Sequence, residues 1–331
     1  AVTVLIITCP CALGLAVPTV QIIASGRLMR RGILLKSATA LERLAEVDTV
    51  VFDKTGTLTL GKLEVEPAEH REPLRLAATL AAASRHPLSQ ALTRACPDVP
   101  GRTDVSEHPG AGLSAGVLRL GNRAFCGIAE TDDDGASELW FTRPGKPPTR
   151  FVFHDTFRPD AAAVVRRLKG TGMRVLLLSG DRPNVVASVA ETLGIEEWRA
   201  GLAPQEKCAA LQALGASGRK VLMVGDGLND APALAAAYVS MSPSTAAGVA
   251  QTAADIVFQG MSLGAVDEAL GVARHAHTLV RENIAFAILY NGLAVPLAMI
   301  GLVTPPLAAV AMSSSSLIVI GNALRLARRR A

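Results

Sequence analysis

Two stretches of this chain carry no charged side chain: residues 1–26, and the 42 residues from Asn283 to Leu324. A helix needs about 20 apolar residues at 1.5 Å rise to cross the hydrocarbon of a bilayer. The first stretch therefore predicts one spanning helix, and the second predicts two. Residues 1–29 read as one long helix interrupted at Pro10, Gly14 and Pro18, leaving the membrane around Gln21–Arg27. Residues 284–303 and 306–324 read as a hairpin turning at Thr304-Pro305-Pro306. Arg27, Arg30, Arg31 and Lys36 follow the first span, and Arg325, Arg328, Arg329 and Arg330 follow the last. The positive-inside tendency puts both groups, and the large loop between them, in the cytoplasm. Their juxtamembrane position makes the bilayer the expected partner and argues against nucleic acid.

Composition agrees. A mean hydropathy of +0.33 with 19% charged residues excludes a disordered chain. Five cysteines (Cys9, Cys11, Cys96, Cys126, Cys208) form no disulfide framework, which suits a reducing compartment. The sequence lacks an initiator Met and opens inside an apolar run, so it is expected to be a fragment missing an N-terminal part.

Between the spans the chain has an α/β rhythm. Apolar runs end in acidic or Gly-rich turns at Thr49–Asp53, Arg174–Asp181 and Lys220–Asp226. Helical patterns follow at about 159–169, 183–193, 204–215 and 229–236. This alternation predicts a parallel sheet with helices on both faces and functional loops at the strand C-termini. Residues 61–150 are mixed and Gly- and Pro-rich, and read as a second domain inserted after the first strand. The expected layout is 1–47 (spanning helix and stalk), 48–60 and 151–262 (the sheet domain), 61–150 (the insert) and 263–331 (stalk and two spans).

The strand ends carry the chemistry. Asp53 closes one strand and leads into Lys54-Thr55-Gly56-Thr57-Leu58-Thr59. Asp226, Asn229 and Asp230 follow a second strand, Ser179-Gly180-Asp181 a third, and Lys207 lies in the first turn of a helix. A single strand-end Asp is ordinarily a turn or cap residue. Four such elements together supply a carboxylate nucleophile, oxygen ligands for Mg²⁺, and cation and hydroxyl contacts for a transferring phosphoryl group.

Asp53–Thr59 resembles the phosphorylation motif of P-type ATPases, and Gly225–Leu234 resembles their hinge motif. The resemblance extends over the whole chain. It implies a haloacid-dehalogenase-like Rossmannoid α/β phosphorylation domain with an inserted α+β nucleotide-binding domain, plus three transmembrane helices. It implies that Asp53 forms an aspartyl-phosphate, that Asp53, Thr55 and Asp226 bind Mg²⁺, and that Lys54, Ser179, Gly180, Lys207, Asn229 and Asp230 serve the phosphoryl group. Asp155 and Arg158-Pro159 look like the segment where the chain re-enters this domain. Ser179 stands where the family usually has Thr.

In the insert, Ser84-Arg85-His86-Pro87-Leu88, Pro109-Gly110-Ala111-Gly112 and Leu120-Gly121-Asn122 resemble the nucleotide-binding domain of heavy-metal P-type ATPases. ATP contact is thereby implied for His86, Gly110, Gly112, Gly121 and Asn122. Arg85 stands where an acid is usual, and Ala81 where a Glu commonly contacts adenine. After the hinge, Tyr238–Ala246 replaces a Gly-rich stretch.

Cys9-Pro10-Cys11 lies within the first apolar stretch, where a proline opens the helix and lets two sulfurs turn to one point. Tyr290 and Asn291 sit mid-span in the next helix. Met312 and Ser316 share a face of the last at i, i+4 spacing, although generic helix packing also accounts for serines such as Ser313–Ser315. Thiolate and thioether are soft donors that suit Cu(I), and residues 283–324 contain no acid of the kind a Zn²⁺ pathway is expected to supply. The set resembles the copper branch, which implies Cys9, Cys11, Tyr290, Asn291, Met312 and Ser316 as ligands of a transported Cu⁺. Ser240–Ser244 and the Ser-Arg-His-Pro variant look most like the bacterial subgroup serving cytochrome oxidase assembly. His70, His108, His154, His275 and His277 show no metal spacing, and His275 and His277 read as solvated.

The resemblance thus implies ATP-driven, Mg²⁺-dependent Cu⁺ export across a bacterial inner membrane, with a cytosolic copper chaperone as a delivering partner. The chain is expected to lack the family's actuator domain and so, by itself, not to turn over. The alternatives are a Zn²⁺/Cd²⁺ pump, a membrane-anchored phosphatase and a non-catalytic metal-binding scaffold. A phosphatase of the haloacid-dehalogenase type typically has a second Asp two residues after the nucleophile. Thr55 stands there instead, which suits a lasting phosphoenzyme.

Overall fold

The computed structural model describes residues 11–37, 39–66, 71–129, 137–226, 230–245 and 248–328, leaving aside the side chains of residues 11, 12, 249, 250 and 328. Its strands in chain order are β1 (Ile33–Leu35), β2 (Thr49–Asp53), β3 (Thr59–Val65), β4 (Ser106–His108), β5 (Gly112–Ala115) and β6 (Leu118–Gly121). There follow β7 (Ser137–Thr142), β8 (Thr149–Phe157), β9 (Arg174–Leu178), β10 (Glu197–Arg199), β11 (Val221–Val224), β12 (Val239–Pro243) and β13 (Ile256–Phe258). By its contacts the chain divides into two compact units, residues 1–52, 163–176 and 204–331 in one, 53–162 and 177–203 in the other.

The larger sheet has the order β1-β13-β12-β11-β2-β9-β10. Its strands β2, β11, β12 and β13 run parallel, and only the pairing of β1 with β13 is antiparallel among the registers described. Every residue of β2 and β11 is buried, the unbroken apolar pattern of central parallel strands covered on both faces. Helices Ala161–Gly170, Pro183–Leu193, Pro204–Ala216 and Ala231–Ala236 occur where the periodicity predicts them, within two residues at each end. Strand β9 stops at Leu178, which leaves Ser179–Asp181 as the turn at its C-terminal end.

Within the stretch from Tyr238, residues Val239–Pro243 form the buried strand β12. Its polar residue Ser240 is satisfied by Asp255, which accepts from the Ser240 amide at 3.1 Å and lies 3.2 Å from its hydroxyl. Arg43 donates to the other oxygen of Asp255 at 2.5 Å.

The second sheet, β3-β8-β7-β6-β5-β4, is wholly antiparallel in its described pairings. Helices Arg71–Ala81 and Pro87–Ala95 cover one face. Leu80, Leu92, Leu120, Phe141 and Phe151 form the core between them, each at most 2% exposed.

Helix Gly264–Met299 is 36 residues long, about 54 Å at 1.5 Å per residue. That exceeds the ~30 Å of hydrocarbon, so only its uncharged half from Asn283 fits there. Helix Pro305–Arg328 follows after a short turn. Both are long and apolar enough to cross a membrane. Neither is a buried core helix, since Ile288, Leu289, Leu293, Leu307, Val310 and Leu317 are all more than half exposed. Of the expected first span, residues 1–10 lie outside the described residues. Helix Cys11–Arg30 runs on through Gly14 and Pro18, which therefore do not interrupt it, and it packs against both later helices. His275 is half-buried rather than solvated, because the helix that carries it packs on its neighbours along that stretch.

Asp255→Ala should lower stability by about 2 kcal/mol, leaving a buried amide and an arginine without their acceptor. Faster hydrogen exchange at the Ser240 amide would report it.

Candidate functional site

Strand β2 pairs with β11 in register from Thr49↔Val221 to Phe52↔Val224, so Asp53 leaves the sheet beside the loop that carries Asp226 and Asp230. Carboxylate oxygens of these three aspartates lie within 4.8 Å of one another. Lys207 donates to Asp230 Oδ1 at 2.7 Å, with both residues buried. The hard oxygen donors of these three carboxylates suit Mg²⁺. Asp230 thus belongs to the acidic cluster as well as to the lysine, a grouping that sequence order does not show. Asn229 and Cys9 lie outside the described residues, and the side chain of Cys11 likewise.

The turn after Asp53 is pinned from several sides. Gly56 has a φ of +67°, a conformation that costs other residues energy, and it reverses the chain. Its amide donates to the Thr59 hydroxyl at 3.2 Å, and that hydroxyl donates to Asp155 Oδ2 at 2.6 Å. Arg158 is 3% exposed and donates to the carbonyls of Thr57 at 2.7 Å and Gly56 at 2.8 Å. Thr55 is exposed on this turn, while Lys54 is buried and ion-paired with Asp181. Ser179 is buried, its Oγ accepting from the Asp181 amide at 3.2 Å. Gly180 has Leu202 O 3.2 Å from where a Cβ would stand. Asp181 joins Lys54, Thr55 and Asp155 along a cavity of about 530 Å³ that extends to Pro87 and Ser137. Asp181 is a residue the motif reading passed over, although it completes the Ser-Gly-Asp triplet.

Burial raises the pKa of Asp155 despite the Thr59 hydroxyl and the nearby Lys54, and its Oδ1 is buried with no hydrogen-bond partner.

A second cavity, of about 240 Å³, is lined by His86, Gly110, Gly112 and Asn122 together with Ser84, Glu107, His108 and Glu138. His86 Nδ1 accepts from the Leu88 amide at 3.3 Å, capping helix Pro87–Ala95, so the neutral ring carries its proton on Nε2. Gly110, at φ +75°, has open space where a side chain would be. Gly112 and Gly121 differ from it. They face each other across β5 and β6, and a Cβ on either would stand 2.3 Å from a backbone carbonyl oxygen. Gly121 therefore serves strand packing behind the cavity and does not line it. Asn122 donates to Gly110 O at 3.1 Å and accepts from the Phe125 amide at 2.8 Å, which fixes the glycine turn. Ala81 is fully buried in the helix-and-sheet core and offers the cavity nothing.

In the apolar helices, Tyr290 Oη and Asn291 Oδ1 are buried without a hydrogen-bond partner. The hydroxyls of Ser315 and Ser316 lie 2.7 and 3.3 Å from the carbonyl of Met312. Ser316, half-buried like Met312, keeps its oxygen lone pairs available.

Two outcomes are expected from this geometry. Asp155→Asn keeps an acceptor for Thr59 and removes a charge the fold disfavours. Wild-type stability should fall as pH rises through the ordinary carboxylate range towards the raised folded value, because the unfolded chain releases its proton first. The variant's advantage in melting temperature, measured without Mg²⁺, should thus be largest near neutrality and absent below about pH 3. Gly112→Ala should cost about 1–3 kcal/mol through overpacking. It should also distort the second cavity, read as faster hydrogen exchange at the Asn122 amide, which donates to Ala111 O at 2.9 Å.

Three comparisons place this arrangement. Residues 47–237 match the family model of the haloacid dehalogenase-like hydrolases. The chain is 53% identical to the nitrogen fixation protein FixI of Rhizobium leguminosarum bv. viciae, covering 98% of this chain and 44% of that protein. It is 39% identical to a copper-exporting P-type ATPase of Mycobacterium tuberculosis, covering 98% of this chain and 46% of the other. The chain therefore spans less than half the length of these relatives. Among solved structures, a zinc-transporting PIB-type ATPase in its E2.Pi state superposes with a TM-score of 0.88 at 32% identity, over 97% of this chain and 57% of that one. The catalytic domain of the CPx-ATPase CopB-B gives a TM-score of 0.57 at 26% identity, over 76% of this chain and 98% of that one. With the strand-end aspartates and the apolar helices so arranged, the chain belongs to the haloacid dehalogenase-like hydrolase family and, within it, to the heavy-metal P-type ATPases.

Proposed function

We propose that this chain supplies the phosphorylation, nucleotide and helical parts of an ATP-driven Cu⁺ exporter in a bacterial inner membrane. The observation that carries the reading is the gathering of Asp53, Asp226 and Asp230 within 4.8 Å beside the buried Lys207. In the proposed layout residues 48–60 and 151–262 form the phosphorylation domain, 61–150 bind nucleotide, and 1–47 with 263–331 form stalk and spans. Adenosine sits in the cavity of His86 and Gly110, and its phosphates lie along the cavity that ends at Lys54. The Asp53 carboxylate attacks the γ-phosphorus, the bond to the bridging oxygen breaks, ADP leaves, and an acyl phosphate remains. Lys207 and Lys54 offset charge on the transferring group, and the Ser179 hydroxyl and the amide of Gly180 orient it. Asp53 and Asp226, with Thr55, would hold Mg²⁺, which when bound offsets the phosphate charge.

The cargo follows from donor chemistry. The helices from Asn283 to Leu324 contain no carboxylate, whereas Cys9 and Cys11 offer thiolates and Met312 a thioether. These suit Cu(I) better than Zn²⁺. The unpartnered Tyr290 and Asn291 oxygens support a polar pathway there. Copper-exporting relatives favour the same cargo, while the zinc-transporting structural match keeps Zn²⁺ as the rival. Delivery by a cytosolic copper chaperone fits a cytoplasmic entrance.

With Mg²⁺ and γ-labelled ATP the chain in detergent should take up an acid-stable label, which Asp53→Asn abolishes. An undiminished label in that variant would sink the nucleophile assignment. Competition with a Cu(I) chelator should reveal a bound Cu(I) that Cys9→Ser loses. Tighter binding of Zn²⁺ than of Cu(I) would overturn the cargo.

A further inference from the structure

Two carboxylates wall the nucleotide cavity, Glu107 and Glu138. They are not equivalent. Both oxygens of Glu138 are engaged, by Arg123, Arg150 and the Trp140 indole. Glu107, exposed in the middle of β4, has one tie: its Oε1 accepts from the Ser84 hydroxyl at 2.9 Å. The same Ser84 oxygen accepts from the His86 amide at 3.1 Å. Ser84 thus ties the Glu107 carboxylate to the backbone at His86. Among the described residues the other oxygen of Glu107 has no hydrogen-bond donor.

The Glu107 carboxylate, with no cation on it among the described residues, repels a triphosphate, so its side of the cavity suits the base rather than the phosphates. A carboxylate is also an acceptor only. It favours a base that presents an N–H and opposes one that presents a carbonyl oxygen at the same place. We infer that Glu107 is the residue that selects adenine, its carboxylate accepting from the exocyclic amino group and rejecting a purine with a keto oxygen there. This rests on the reading that the cavity takes ATP. Ala81 is buried away from the cavity, and Glu138 is committed to two arginines, which leaves Glu107 as the carboxylate placed to do it.

The test displaces trinitrophenyl-ATP fluorescence from the chain in detergent with ATP or with ITP, in which a keto oxygen replaces the amino group. Wild type should prefer ATP by about tenfold or more, the range of one hydrogen bond to a charged group. Glu107→Gln offers an acceptor and a donor, so it should bring the ratio to within about threefold, chiefly by strengthening ITP. Glu107→Ala should narrow it by weakening ATP. A merely structural role would weaken both nucleotides alike and leave the ratio unchanged, and that result overturns the assignment. If neither nucleotide displaces the probe from wild type, the reading of the cavity falls, and the inference with it. Displacement by ATP with a ratio indifferent to both variants removes only the role of Glu107.

Discussion

Negative charge gathered at the edge of a buried apolar sheet governs this molecule. Strands β2 and β11 are buried throughout, and they bring Asp53, Asp226 and Asp230 within 4.8 Å. Like charges that close raise one another's cost, and low exposure removes the water that would screen them. Lys207 answers part of this charge at Asp230. Hard oxygen donors so arranged suit a divalent cation.

Holding such a cluster requires a stiff frame. The turn after Asp53 is fixed at its reversal by Gly56, through its amide by Thr59, and through its carbonyls by Arg158. Arg158 lies about a hundred residues further on, at the return from the inserted sheet. The insert is therefore tied into the turn it interrupts. In the insert itself, the glycines around the second cavity divide into two kinds. Gly110 provides a left-handed backbone facing open space, whereas Gly112 and Gly121 allow two strands to touch.

The apolar helices follow a different logic. Their large side chains are exposed, which in water would be costly and in lipid is not. Polar groups among them, the oxygens of Tyr290 and Asn291, lack partners, which suits a pathway for an ion.

The sequence by itself determined the elements whose cause is local. Uncharged stretches long enough to span a bilayer, the unbroken apolar runs of β2 and β11, and the periodic helices after them are all written in composition and spacing. So are the Asp53 and Asp226 loops, because strand ends are set by where the apolar run stops. Only tertiary structure decided what depends on residues far apart. It joined Asp230 to the acidic cluster, moored Glu107 to Ser84, buried Ala81 away from the second cavity, and satisfied Ser240 in β12 with Asp255. It also carried the first described helix straight through Pro18, since one lost hydrogen bond is outweighed where the helix packs against two others. Local signals report which conformation a segment prefers. Charge neutralisation, strand contact and cavity shape are properties of pairs, and a pair exists only once the chain has folded.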